Sequence, residues 1–319
     1  MMAREKPRVV VIAGPTGVGK TAVAAALARL VPIEVISADS RQVYRGMDAA
    51  TGKPGASERA AVVHHLIDIV DPDDRYQAAR FRADAAALVE RIGARGAVPV
   101  VVGGTGLYIR ALVRGLDPAP PADPAFRREL AGVARQEGRP ALWQRLNRAA
   151  PEIAARLHPN DEVRVIRALE IVRTDGGAPH AAGRWRDPSG PYDVTYIGLT
   201  LDRAGLAERV RRRAREFVAA GLREEVRRLL TQGYSPALPS LQSIGYREFV
   251  EVEAGRLTED EALRRMQRDT LRYAKRQWTW FAREPGIEWI GVEAAGGPAA
   301  VAATIARKLT PSLTEGVSA

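Results

Sequence analysis

The sequence predicts an α/β protein: a parallel sheet flanked by helices, with an inserted all-helical domain. Three observations carry that prediction. The first is Gly14-Pro15-Thr16-Gly17-Val18-Gly19-Lys20-Thr21, which fits G-x-x-x-x-G-K-[ST] between an apolar run, Arg8–Ala13, and a stretch of strong helix formers, 22–30. The second is a set of continuous apolar runs separated by helical stretches, the pattern of strands buried on both faces. The third is a lapse of that strand pattern from Pro118 to about Pro191.

The loop at 14–21 makes the core P-loop NTPase-like. Its backbone N–H groups wrap a di- or triphosphate, Lys20 neutralises it, and the Thr21 hydroxyl is the candidate Mg²⁺ ligand. A strand that hands over to a helix N-terminus is a natural seat for an anion. A second strand is predicted over Ile33–Ser37, leading into Ala38-Asp39-Ser40, and a third over 98–102, before Gly103-Gly104-Thr105-Gly106, with helix between them at 80–95. Ligands of such sheets gather beyond the carboxyl ends of the strands. That groups 14–21, 39–42 and 103–108 around one crevice.

A proline-dense connection at 117–124 opens the lapse, and helical patterns follow at 125–137, 140–149 and 160–174, the last with Asn160 as its expected N-cap. A Gly/Pro-rich stretch at 183–191 ends it, and a core strand returns at 194–199. The predicted organisation is therefore a core domain in two parts, 1–117 and 192–319, around a helical insertion, 118–191. Two long helical stretches follow the returning strand, 202–221 and 258–282, the second opening on the capping box Thr258-x-x-Glu261. A short strand is expected at 287–290 and a frayed tail at 310–319.

At 319 residues the chain has room for about two domains. No apolar run approaches the ~20 residues of a membrane span, and the N-terminus lacks a signal peptide's apolar segment, so no membrane partner and a cytoplasmic protein are expected. The absence of cysteine excludes disulfides, thiolate catalysis and cysteine-ligated zinc. His64 and His65, adjacent on an apolar strand, point to opposite faces and cannot both ligate one ion. Asp71, Asp73 and Asp74 lack the glycine and terminal glutamate of a calcium loop.

The formal charge of +10 favours a polyanionic partner where it is clustered. It is: residues 203–228 carry nine Arg against four Glu, and 264–276 carry six Lys/Arg against one Asp. Arg264, Arg268, Arg272 and Arg276 recur every four residues on one helix face, with Trp278 and Trp280 just beyond. A charged stripe is by itself a solvated face; two in a basic chain, one ending in aromatics, point to phosphate-backbone binding with base stacking. From the loop alone, a kinase using ATP is the better reading, but it leaves the insertion and both arginine-rich helices unexplained. An RNA-binding ATPase is a third reading.

Seven blocks, in order, carry a resemblance: 14–21, 36–48 with Thr51-Gly52-Lys53-Pro54, 64–71, 103–108, 160–170, 242–248 and 274–281. Together they resemble the tRNA dimethylallyltransferases, or tRNA isopentenyltransferases. The resemblance implies transfer of a dimethylallyl group from dimethylallyl diphosphate to N6 of the adenine immediately 3′ of the anticodon, with release of pyrophosphate. It implies that the insertion grips the anticodon stem-loop of tRNA and that Mg²⁺ assists; a monomer is expected.

In this family's terms Lys20, Thr21 and Arg213 stabilise the leaving diphosphate. Arg213 is matched, within Arg211-Arg212-Arg213, by its place before Phe217 and Gly221-Leu222. Asp39, on the residues alone more often a turn or cap, takes the general base's role through the resemblance. Ser40, Arg41 and Gln42 are placed to hydrogen-bond the extruded adenine, and Thr105 to do likewise. The family pattern turns Arg127, Arg164 and Arg167 toward RNA, together with Gln242, Ser243, Ile244, Gly245, Tyr246 and Arg247. It adds Lys275, Arg276, Gln277, Trp278, Thr279 and Trp280. Trp278 and Ala282 depart from the pattern, which favours a smaller or different apolar residue and an arginine there.

Overall fold

In a computed structural model, residues 6–116, 120, 122–174 and 190–309 are described. The elements are β1 (Arg8–Ala13), α1 (Lys20–Leu27), β2 (Ile33–Ser37), α2 (Ala56–Ala61), β3 (His64–His65), α3 (Ala78–Ala94), β4 (Val98–Gly103), α4 (Gly106–Arg114), α5 (Pro124–Glu137), α6 (Arg139–Ala149), α7 (Pro151–Ala154), α8 (Glu162–Thr174), β5 (Asp193–Thr200), α9 (Arg203–Ala219), α10 (Leu222–Thr231), α11 (Tyr246–Glu253), α12 (Glu259–Phe281), β6 (Glu288–Gly291) and α13 (Pro298–Leu309). They form two compact units, one from residues up to Val113 and from Pro191 onward, the other from Arg114 to Gly190.

The first unit is built on a six-stranded, wholly parallel sheet in the order β3-β2-β4-β1-β5-β6, as the apolar runs predict. Alternate residues of β1 feed opposite layers. Val9, Val11 and Ala13 pack with Phe81, Tyr108, Phe249 and Phe281, whereas Val10 and Ile12 pack with Val23, Leu27, Val301 and Ile305. Burial on both faces explains why β1 reads as an unbroken β-branched run. Register matters to function: Ala13 pairs with Gly103, and Ser37 with Val102, so β1, β2 and β4 end level with one another. The loops at 14, 38 and 104 therefore leave one edge of the sheet together.

The helix ends obey local chemistry. Asp202 caps α9 by accepting from Ala204 and Gly205 N–H, Thr258 and Glu261 form the capping box at the start of α12, and Gly221 takes φ 90° where α9 gives way to α10. The expected cap at Asn160 is corrected: α8 begins at Glu162, and it is Asp161 that accepts from the Arg164 N–H. Asp161 stands one residue nearer the first turn, where a short carboxylate reaches the free N–H. The expected tail at 310–319 and most of the 183–191 stretch lie outside the described residues.

The second unit is helical. Leu130, Leu142, Leu146, Ile153, Val165 and Leu169 form its core. Glu170, 3% exposed, ties α5 to α8: it accepts from Arg127 Nε and Nη2, both at 2.7 Å, from Arg167 Nη1 at 3.1 Å and from Asp123 N–H at 2.9 Å. Burial pushes its pKa up, but these bonds outweigh burial and bring it down to about 2.

Among the described residues no helix is long and apolar enough to cross a membrane. His64 bonds the Val62 carbonyl and His65 the Glu34 carboxylate at 2.6 Å, so each imidazole serves the sheet edge. Asp71 pairs with Arg45 and Asp74 with Arg80, as an acidic turn does.

Candidate active site

A cavity of about 710 Å³ opens at the carboxyl ends of β1, β2 and β4 within the first unit. Its floor is the phosphate loop, where Gly19 adopts φ 105° so that α1 can start immediately at Lys20. The Lys20 ammonium curls back to donate to the Gly14 and Pro15 carbonyls, both at 2.9 Å. Burial strips water from it and lowers its pKa to about 8; Asp39 pulls the value back up and Arg213 presses it further down. Thr21 lines the same floor, and its hydroxyl makes no hydrogen bond with the described residues.

Asp39 stands across the cavity on the loop after β2, with Oδ1 accepting from the Arg41 N–H at 2.8 Å. The loops after β2 and β4 are laced together: Thr105 donates its N–H to the Ala38 carbonyl at 3.1 Å, and its Oγ1 accepts from Ser40 N–H at 3.1 Å. Thr105 is thus occupied in holding the Asp39 loop and is absent from the cavity wall. Gln42 is fixed by accepting from Ser37 Oγ at 2.8 Å and donating to the Gly52 carbonyl at 2.9 Å.

Arg213 comes from α9 and is half-buried, its Nη2 donating to the Gly52 carbonyl at 3.3 Å, whereas Arg211 and Arg212 leave 51% and 61% of their side chains exposed. Burial lowers its pKa and Asp39 opposes that, so the two side chains feel each other. A Cβ at Gly52 would lie 1.8 Å from Nη2, which is why a glycine precedes Lys53. Lys53, with 5% of its side chain exposed, fastens this segment to Asp48, Asp68 and the Tyr44 carbonyl.

The cavity also gathers Gln242, Ser243, Ile244, Tyr246, Arg247, Arg276 and Gln277. Tyr246 is fully buried, with its hydroxyl donating to Glu225 at 2.5 Å, and Gln277 is 6% exposed with its amide bonded inside the protein. Gly14, Pro15 and Val18 shape the loop from behind the cavity wall, and Gly245 takes φ 95° ahead of α11. Lys275, Arg276 and Thr279 are exposed on α12. Trp278, 41% exposed, lies 4.5 Å from Trp289 between ring centroids, and Trp280 sits under Arg110 at 4.3 Å. Arg127 and Arg167 belong to the other unit and are tied to Glu170, while Arg164 is exposed beside Asp161.

Sequence reasoning missed Arg209, whose Nη1 donates to the Val18 carbonyl at 3.3 Å and so braces the phosphate loop from α9. The four-residue step from Arg209 to Arg213 on α9 is the signal that could have found it.

Two family models match the chain, one described as IPP transferase over residues 42–284 and one as isopentenyl transferase over 7–68. The tRNA dimethylallyltransferase of Geobacter sulfurreducens is 46% identical over 289 residues, 90% of this chain and 93% of that one. The solved tRNA isopentenylpyrophosphate transferase of Bacillus halodurans is 38% identical, with a TM-score of 0.70 over 96% of this chain and 98% of that one. A solved eukaryotic dimethylallyltransferase acting on tRNA is 26% identical, with a TM-score of 0.71 over 89% of this chain and 73% of that one. With a family model spanning most of its length and such relatives along nearly all of it, the chain belongs to the tRNA dimethylallyltransferase family.

Proposed function

We propose that this protein transfers the dimethylallyl group of dimethylallyl diphosphate to N6 of the adenine 3′ of the anticodon in tRNA, releasing pyrophosphate. The activity in the names of its relatives supports the reading. One observation carries it: Lys20, Arg213 and Asp39 line a single cavity, two cations and one carboxylate, with Asp39 acting electrostatically on both cations.

The loop amides, Lys20 and Arg213 bind the diphosphate and stabilise the negative charge that grows on the leaving oxygens as the C1–O bond breaks. The nucleophile is weak, because the N6 lone pair is delocalised into the ring. As the N6–C1 bond forms, N6 sheds a proton, which the Asp39 carboxylate accepts. The adenine reaches this depth only when flipped from its stack, a small cost in an RNA loop, and Ser40, Arg41 and Gln42 stand where its edge would be read. Partial burial of Lys20 and Arg213 makes their charges worth more than in water, and water kept from C1 protects the transfer.

The uncommitted Thr21 hydroxyl on the floor and the Asp39 carboxylate across from it are hard oxygen donors lining one cavity, a chemistry that suits Mg²⁺ shared with phosphate. Thr21 would hold the ion, which would supply further neutralisation of the diphosphate. Incubation with bulk tRNA, dimethylallyl diphosphate and Mg²⁺, followed by nucleoside mass analysis, should yield an isopentenyl-bearing adenosine. Recovery of ATP's terminal phosphoryl on an acceptor, with unmodified RNA, would replace this reading by that of a kinase.

A further inference from the structure

Gln277 sits on α12, whose outer face carries the exposed Lys275 and Arg276, yet its own side chain is 6% exposed and turned toward the sheet. Its Oε1 accepts from the Thr16 N–H at 2.8 Å and its Nε2 donates to the Gly104 carbonyl at 2.9 Å. Thr16 belongs to the phosphate loop, while Gly104 precedes Thr105, which holds the main chain on either side of Asp39 through Ala38 and Ser40. One carboxamide thus spans the loop that would hold the donor and the loop that would hold the base. The fit is close, for a Cβ at Gly104 would lie 2.2 Å from Nε2. Of the side chains of this length only glutamine supplies a neutral acceptor and donor together, and the opposite polarities of its two partners fix which way the amide points.

We infer that Gln277 is a positioning residue that sets the separation of the donor carbon from the acceptor nitrogen. The inference rests on the transfer reading above. Although it borders the cavity, its amide is committed to Thr16 and Gly104, and it acts through them. When the two loops drift apart, cleavage of the donor's C1–O bond continues but water reaches C1 before N6 does. The water oxygen then bonds to C1, its proton passes to solvent, and dimethylallyl alcohol and pyrophosphate leave with the RNA unmodified. Loss of Gln277 therefore uncouples the reaction, which a general loss of folded protein cannot do.

The experiment measures pyrophosphate released per prenylated tRNA, with steady-state constants for both substrates and a melting curve for each variant. In the wild-type protein the ratio is expected to be one. Gln277→Met keeps the length and loses both hydrogen bonds; its ratio should rise to about three or more while prenylation falls roughly 10–100-fold, with the tRNA KM within about twofold. Gly104→Ala reaches the same contact from the other side and should uncouple likewise, so the test survives if one variant fails to fold. In the Gly104→Ala/Gln277→Ala pair the ratio should be no higher than in Gln277→Ala alone. A ratio of one in every folded variant, with turnover tracking the folded fraction, overturns the positioning role while leaving transfer intact. Absence of prenylated RNA from the wild type overturns the transfer reading, and this inference with it.

Discussion

Raising the pH should weaken binding of the donor through Lys20 alone. In the free protein its ammonium is desolvated, with a pKa near 8 rather than the ordinary 10.5 despite the opposing charge of Asp39. A bound diphosphate adds negative charge beside it, so the complex keeps the proton where the free protein has begun to lose it. Affinity then follows the protonated fraction of free Lys20, which falls from about nine-tenths at pH 7 to about one-tenth at pH 9, a tenfold loss worth about 1.4 kcal/mol. A non-reactive thio analogue of the donor is a suitable ligand, since its phosphates finish ionising near pH ~6. Calorimetry at pH 8 in buffers of different ionisation enthalpy should register uptake of about half a proton per site. Lys20→Met should bind more weakly and with a flat profile. Equal wild-type affinity at pH 7 and pH 9, with no proton taken up, would refute a proton-dependent cradle.

Other outcomes follow from the same geometry. Asp39→Asn should leave tRNA affinity within about twofold and lower single-turnover prenylation by roughly 10²–10⁴, the usual worth of a general base. Glu170→Ala strands Arg127 and Arg167 and should cost roughly 2–3 kcal/mol in urea unfolding, less than a fully buried pair because both arginines are partly exposed. Because the folded-state pKa of Glu170 is depressed from 4.5 to about 2, its contribution is complete above pH 4.5 and disappears as pH falls toward 2; Glu170→Gln should flatten that acid limb. Replacing Lys275 and Arg276 by Gln should reduce the slope of log affinity for tRNA against log salt by about 1.4–1.8, as two lost phosphate contacts require.

The sheet was legible because its strands are buried on both faces: Val9-Val10-Val11-Ile12 and Val100-Val101-Val102 leave little else to be. The sheet edge that carries the cavity was legible because the phosphate loop names one strand end and parallel topology brings the others to it. Short helices were not. Gly106–Arg114 begins with a glycine and reads as a turn, and Pro298–Leu309 is missing from the sequence reading although Val301, Ile305 and Leu309 recur every four residues on the face that packs with Val23 and Leu27 of α1. The family pattern sends Gln277 outward to RNA, but Ala274, Gln277 and Phe281 fall at i, i+3 and i+7 on the buried stripe of α12. Periodicity carried the signal, and the polarity of the amide concealed it.

Arginine plays two parts in this chain, and its partners decide which. Arg127, Arg167 and Arg247 reach Glu170, Glu248 and Asp269, carboxylates that are themselves buried or nearly so. Such an arginine cannot turn to a phosphate without stranding its partner, a cost larger than a surface phosphate contact returns. Arg268 and Arg272 share Asp269 with Arg247, so the stripe read from the sequence presents less free charge than its length suggests. Lys275 and Arg276 are exposed, and no described carboxylate forms an ion pair with them. The gross count of 48 basic residues therefore overstates the field an RNA meets, and the salt dependence of binding should track exposed, unpaired cations rather than the arginine count.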